Sequence, residues 1–290
     1  MAFPAALQST LEEALGKIDA IQSIGGGDIS QAAKATLADG REVLIKWRFG
    51  KPAELFEVEW HGLELLRLAN ALRVPQVFDH GRASGSQPGY IVMEWLGRGR
   101  STNALAEQLG RGLAMMHRTT AEQYGLDHHN FIGANPQPNH QHDNWVTFFG
   151  EQRLGFQMEL AAKNGYLPKR RATMLASLLS RLGDWLPPAP PASLLHGDLW
   201  GGNWLVTDSG EPALIDPAVF YGHREAEIAF TELFGGFSAS FYAAYNQTWP
   251  LEPGYQERKE LYNLYHLLNH LNLFGEGYGG SVDAILARFS

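Results

Sequence analysis

The run His196-Gly197-Asp198-Leu199-Trp200-Gly201-Gly202-Asn203, followed by Leu214-Ile215-Asp216, constrains this chain more than any other stretch. It sets a carboxylate, an amide five residues later and a second carboxylate thirteen residues beyond that, with apolar strand-like runs between them. Phosphoryl transfer from ATP needs such a set. One Asp accepts or orients the proton of the attacking hydroxyl, while an Asn and another Asp hold Mg²⁺ against the phosphates. By itself H-G-D reads as a polar turn with Asn203 a loop residue. The full spacing with the second Asp moves the reading to catalysis, because context is what confirms a motif.

At 290 residues the chain suffices for one large domain or two modest lobes, and either buries an ample core. Its 44% hydrophobic and 19% charged content is that of an ordinary globular protein. No apolar run approaches the roughly 18 residues that a membrane span needs, so no membrane partner is expected. A formal net charge of −8 argues against a nucleic-acid partner, whose binder would be basic. The opening MAFPAALQSTLEEALG carries acids and no basic n-region, so a signal peptide is not expected. With no Cys, disulfides, thiolate nucleophiles and Cys-ligated zinc are excluded. A cytoplasmic enzyme is the expectation. No internal repeat or coiled-coil run specifies an oligomeric state.

Along the chain, Leu7, Leu11 and Leu15 predict a short helix, and residues 18–24 a strand. Residues 29–47 read as a hairpin turned at Asp39-Gly40, a pair suited to positive φ. In its second strand Val43, Ile45 and Trp47 share one face, with Leu44 and Lys46 on the other. Pro52 suits the first turn of a helix that carries Phe56, Trp60, Leu63 and Leu66 at helical spacing. Residues 90–96 form a further apolar strand, and Gly97-Arg98-Gly99-Arg100 breaks both periodicities as a hinge. Beyond it, helices are predicted from a Thr102 or Asn103 cap, over 168–185, from near His223 and over 255–274. A strand-rich first third and a helical remainder imply two lobes, residues 1–96 and 97–290, with a cleft between them.

Lys46 projects from a strand after a Gly-rich segment, and an acid on the following helix is positioned to pair with it. Kinases use this arrangement to hold the α/β-phosphates. Glu59 abuts the apolar stripe and is the chosen partner, with Glu57 in reserve. Gly25, Gly26 and Gly27 precede that strand and would let backbone N–H groups approach phosphates, although the segment matches neither G-x-G-x-x-G nor the Walker pattern. Beyond Asp216, the acids Glu225 and Glu227 sit in the first turn of a helix, where the dipole favours them. The alternative is that His223, Arg224 and Glu225 brace the metal Asp or shape an acceptor pocket. Trp200 either packs as core or lays its ring against a sugar.

The Asp-to-Asn spacing equals that of the kinase loop H-R-D-L-x-x-x-N, with Gly197 replacing the Arg. Together with the segment DPAVFYGHREAE and the block YGLDHHNFIGANPQPNHQHDNW, it resembles the fructosamine/ketosamine-3-kinases, relatives of the aminoglycoside and choline kinases. The resemblance spans nearly the whole chain and implies an α+β, bilobal protein-kinase-like fold: a small β-rich N-lobe that binds nucleotide and a larger, mainly helical C-lobe that binds the acceptor. It implies Asp198 as catalytic base, Asn203 and Asp216 as Mg²⁺ ligands, and Lys46 on the ATP phosphates with Glu59 as its partner. Met93, Glu94, Trp95 and Leu96 would receive adenine through backbone groups. Two positions depart from the family pattern. Glu227 stands where Asp is usual, and Asp28 stands where many relatives carry Cys, which removes any thiol switch at that loop.

The activity so implied is ATP- and Mg²⁺-dependent phosphorylation of the 3-hydroxyl of a ketosamine, free or protein-linked. The product tends to lose phosphate and release the amine, so the implied role is repair of glycation. Two alternatives stand beside it: a kinase for an aminoglycoside, choline or another hydroxylated amine, and a pseudokinase that binds without turnover.

Overall fold

The computed structural model describes residues 3–25 and 30–290. Helix α1 (Ala5–Leu15) leads into a five-stranded antiparallel sheet of β1 (Ile18–Ile24), β2 (Gln31–Leu37), β3 (Glu42–Arg48), β4 (Val77–Gly81) and β5 (Gly89–Glu94), in the order β1-β2-β3-β5-β4. Strand alternation decides what covers each face. Val43, Ile45 and Trp47 of β3, with Tyr90 and Val92 of β5, pack beneath Leu7 and Leu11 of α1. Ile91 and Met93 point the other way and join Phe56, Leu63 and Leu66 of α2 (Leu55–Leu68). The sheet is therefore covered by α1 on one face and α2 on the other, and Lys46 lies on the α2 side.

Two local expectations are corrected, and one strand is new. Helix α2 starts at Leu55, so Pro52 precedes it rather than occupying its first turn. In the β2–β3 turn only Gly40 takes a left-handed conformation (φ 87°), while Asp39 accepts the Arg41 N–H at 3.0 Å. The strand β4 carries no alternation of exposure along VFDHG, which is why the sequence pattern did not single it out.

The helical part begins at α3 (Asn103–Met116), capped by the Thr102 hydroxyl, which accepts the Leu105 N–H at 3.3 Å. Short strands β6 (Thr120–Ala121), β7 (Asn130–Ile132) and β8 (Asn135–Gln137) follow, then α4 (Trp145–Phe148), a π-helical turn at Phe149–Gly155, α5 (Phe156–Lys163) and α6 (Lys169–Arg181). Strand β9 (Ala192–Leu195) lies between β12 (Phe220–Gly222) and β6, and the hairpin of β10 (Trp204–Val206) and β11 (Pro212–Leu214) rises between β9 and β12 in sequence. The chain closes with α7 (Arg224–Leu233), α8 (Ala239–Thr248), α9 (Tyr255–Phe274) and α10 (Gly279–Phe289). Leu261, Leu264, Leu268 and Leu271 of α9 are buried at the centre of a core that runs continuously into the residues beneath α2. Among the described residues no helix is long and apolar enough to cross a membrane.

The sequence LGRGLAMM places two glycines inside α3, where Ala would be the better helix former by roughly 1 kcal/mol. Packing explains Gly110: a Cβ there would lie 2.3 Å from the Phe241 carbonyl of α8. Gly110→Ala is therefore expected to destabilise the protein by about 1–3 kcal/mol despite its helix propensity. Urea unfolding decides it, and an unchanged or raised midpoint would show that α3 and α8 do not approach this closely.

Candidate active site

Strand β9 ends at Leu195 and delivers the loop 196–203, while β11 ends at Leu214 and delivers Asp216 beside it. Two carboxylates distant in sequence are thereby brought together by a three-residue hairpin arm on each side. Asn203 joins them. Its Nδ2 donates to the Asp198 backbone oxygen (2.7 Å), to Asp198 Oδ2 (3.1 Å) and to the Asp216 backbone oxygen (3.4 Å). With three oxygens facing the nitrogen, the amide orientation is set, and Oδ1 is the atom left for a cation.

Lys46 of β3 reaches across from the sheet. Its Nζ donates to Glu59 Oε1 at 2.7 Å and to Asp216 Oδ1 at 2.8 Å. Burial alone would lower the Lys46 pKa, but the Asp216 and Glu59 carboxylates outweigh it and raise the net value, so the ammonium stays charged. Glu59 is pushed up by the same burial, against the pull of Lys46. Glu57, the reserve candidate, turns outward to Arg82. Asp198 lies half-buried at the foot of the cleft. Desolvation pushes its carboxyl well above the usual range, the Asn203 hydrogen bond opposes this, and the negative charges of Asp216 and Glu227 add to it.

The backbone of these loops is held from behind. His196 is fully buried and its pKa is lowered by desolvation, so the imidazole is neutral. Its Nε2–H donates to the Ile215 carbonyl (2.8 Å), leaving Nδ1 to accept the Asp198 N–H (3.3 Å). Glu227 accepts the Gly197 N–H on Oε1 (2.6 Å) and the His196 N–H on Oε2 (3.1 Å), and Oε2 also pairs with His117 Nε2 (2.8 Å). The Glu227 side chain thus spans two amides and an imidazole. Gly197 is required here on two counts, a φ of 83° and a Cβ position 2.0 Å from the Ala218 carbonyl.

The other expected residues fall in different places. Met93 is buried at the end of β5; the Glu94 N–H donates to Gln76 O (2.8 Å) and its carboxylate pairs with Arg73. Trp95 is partly covered and receives the Lys34 ammonium 5.0 Å above its ring, with half-buried Leu96 next to it. Gly25 ends β1 in open space, whereas Gly26 and Gly27 lie outside the described residues. Trp200 is 44% exposed and its indole lies over Gly202, where a Cβ would meet the ring at 2.4 Å. His223 and Glu225 turn inward. Both are buried away from the cleft, His223 bonded through Nδ1 to the Tyr262 hydroxyl (2.7 Å) and Glu225 in a bidentate pair with Arg258 (2.6 and 2.9 Å). They brace α7 against α9. The sequence reading passed over His117, Arg153 and Arg258, because a buried polar side chain announces itself only through partners far along the chain.

Glu227 carries a pH signature. Burial would raise its carboxyl, but the His117 hydrogen bond and charge, with the Gly197 N–H, bring it below the ordinary 4.5. A lowered folded-state pKa contributes stability above the unfolded value and loses it as pH falls through the folded one. Glu227→Gln is expected to be less stable at pH 7 by roughly 1.5–3 kcal/mol and to lose less further stability below about pH 4.5 than the parent. Urea midpoints across that range test this; parallel curves would remove Glu227 from the account.

The family profile described as fructosamine kinase matches residues 3–289. A probable ketoamine kinase of Synechocystis is 42% identical over 274 residues, 94% of this chain and 90% of that protein. A chloroplastic protein-ribulosamine 3-kinase of Arabidopsis thaliana is 38% identical over 277 residues, covering 93% and 82%. The crystal structure of a putative fructosamine-3-kinase from Thermobifida fusca superposes with a TM-score of 0.87 at 30% identity, covering 98% of both chains. At 16% identity and a TM-score of 0.69, again over 98% of both, an aminoglycoside phosphotransferase APH(4)-Ia in complex with AMP-PNP and hygromycin B shares the bilobal α+β, protein-kinase-like fold. The chain belongs to the fructosamine kinase family.

Proposed function

We propose that this protein transfers the γ-phosphoryl group of ATP to the 3-hydroxyl of a ketosamine. The observation that carries the reading is the Asn203 amide, which ties a desolvated carboxylate, Asp198, to the backbone of a second one, Asp216, that faces a buried Lys–Glu pair. The Lys46 ammonium holds the α/β-phosphates, and Glu59 prevents it from swinging away. Asp198 accepts the proton of the 3-hydroxyl as that oxygen bonds to the γ-phosphorus and the bond to the β-phosphate oxygen breaks, releasing ADP. A carboxyl whose pKa is raised by burial is the better proton acceptor near neutral pH. The names of the relatives, which specify ketoamines and ribulosamines, support the acceptor class. Repair of glycated amines is the role that follows.

The donor set fits Mg²⁺. Asn203 Oδ1 and the Asp216 carboxylate are hard oxygens, and Mg²⁺ commonly takes only one or two protein ligands, completing its shell with phosphate and water. When bound there, the ion would neutralise phosphate charge. Lys46 engages only Oδ1 of Asp216, so the carboxylate would have its other oxygen to offer the ion.

Asp198→Asn is expected to keep ATP binding and lose about 10²–10⁴-fold in turnover, because an amide takes up no proton. ATP consumption by the parent and the variant against fructosamine, ribulosamine, aminoglycoside and choline acceptors tests both the base and the acceptor class. Near-normal turnover by the variant, or turnover confined to aminoglycoside or choline, would overturn the proposal. The exposed Trp200 indole offers a face to the sugar and its ammonium, an interaction of about 0.5–2 kcal/mol. Trp200→Ala should raise KM for the ketosamine several-fold and leave KM for ATP unchanged; a change in the ATP constant alone would put the acceptor on the wrong side of the loop.

A further inference from the structure

The block NFIGANPQPN and the π-helical turn beyond it have no part in the chemistry described so far, yet they hold a connected buried polar network. Asn130 Nδ2 donates to the Val219 carbonyl (2.8 Å), and Gln137 Nε2 donates to the Ala218 carbonyl (3.0 Å). Asn130 Oδ1 accepts from both Gln137 Nε2 (2.8 Å) and Asn139 Nδ2 (2.9 Å), so neither amide can flip. Gln137 Oε1 accepts from the Tyr265 hydroxyl (2.6 Å). Asn139 Oδ1 accepts from Arg153 NH2 (2.7 Å).

Arg153 is the unusual member. It is fully buried, and no carboxylate among the described residues pairs with it. Its NH1 donates to the Pro138 carbonyl (2.6 Å) and its guanidinium lies 3.9 Å from the Phe220 ring and 4.7 Å from that of Phe148. A buried charge held only by carbonyls, an amide and ring faces is costly to retain for packing alone. What the network grips is the backbone just past Asp216. That residue has φ 56°, in the left-handed region that an L-residue avoids, and the carbonyls of residues 215, 216, 218 and 219 accept from His196, Asn203, Gln137 and Asn130 respectively.

We propose that Asn130 and Gln137, locked by Asn139, Arg153 and Tyr265, are positioning residues for Asp216, holding the following backbone so that its carboxylate is set before Mg·ATP arrives. The inference rests on Asp216 as a metal ligand and requires nothing of the acceptor. The network acts at a distance from the phosphates and touches no reacting atom.

Two variants test it. Gln137→Met removes the donor and the acceptor together, and Tyr265→Phe removes only the hydroxyl that holds Gln137 while keeping the ring. Calorimetry on each folded variant should find Mg·ATP binding weakened by about 10-fold for Gln137→Met, and less for Tyr265→Phe, with metal-free ATP affinity unchanged. In the ligand-free protein, hydrogen exchange should quicken over residues 216–220 more than over α9. Equal loss with and without Mg²⁺, or unchanged local exchange, would overturn the proposal and leave these residues as scaffold. If Gln137→Met does not fold, Tyr265→Phe decides alone. A parent that binds Mg·ATP yet phosphorylates no ketosamine would refute the acceptor assignment and leave this comparison intact.

Discussion

Asp216 faces the cleft from a left-handed backbone conformation that costs an L-residue about 1–3 kcal/mol, and such strain persists only where the surroundings over-determine it. The loops on either side are too short for secondary structure to hold them. Side chains do so instead: His196, Asn203, Gln137 and Asn130 each donate to one carbonyl around Asp216, while Glu227 collects the amides of His196 and Gly197. The residues proposed for catalysis thus sit on backbone held by buried amides, one imidazole and one carboxylate. A buried network in which every member is paired gives rigidity in proportion to what it would cost to break.

Charge is distributed on the same logic. Lys46 pairs with Glu59 of α2 and reaches Asp216 across from the sheet, so its ammonium is held between two carboxylates until phosphates compete for it. Behind the site, Glu225–Arg258 ties α7 to α9, and Arg171 ties α6 to Asp283 of α10 and to Glu276. Breaking one partner of a buried pair such as Glu225–Arg258 leaves an uncompensated charge, which is more damaging than losing the pair as a unit. These pairs brace the helices beneath the catalytic loop and leave the chemistry to groups above it.

Much of the site could be read in the chain itself. Asp198, Asn203 and Asp216 lie on one stretch whose spacing is tied to a strand–loop–hairpin path, and Lys46 alternates out of a strand whose other face is apolar. Glu59 was separable from Glu57 because it borders the stripe of Phe56, Leu63 and Leu66 that must be buried. His223 and Glu225 are open to two readings in the sequence for the complementary reason. They sit beside the site in sequence, but a helix starting at Arg224 turns them inward, where Tyr262 and Arg258 from α9 meet them. Strand β4 likewise owes its existence to its pairing with β5 more than to a strong pattern of its own.

Local rules acting over a few residues therefore decided the proposed catalytic set, the strand that bears Lys46, the helix that bears Glu59 and the main helices of the C-lobe. Those rules are side-chain period, turn chemistry and the reach of a carboxylate or an amide. Tertiary structure alone decided which buried polar groups meet: Glu227 with His117 across 110 residues, Tyr265 with Gln137 across 128, and Arg153 with the ring of Phe220. A hydrogen bond between such groups depends on where the whole fold sets two atoms to within a few tenths of an ångström, and no periodicity in the chain encodes that distance.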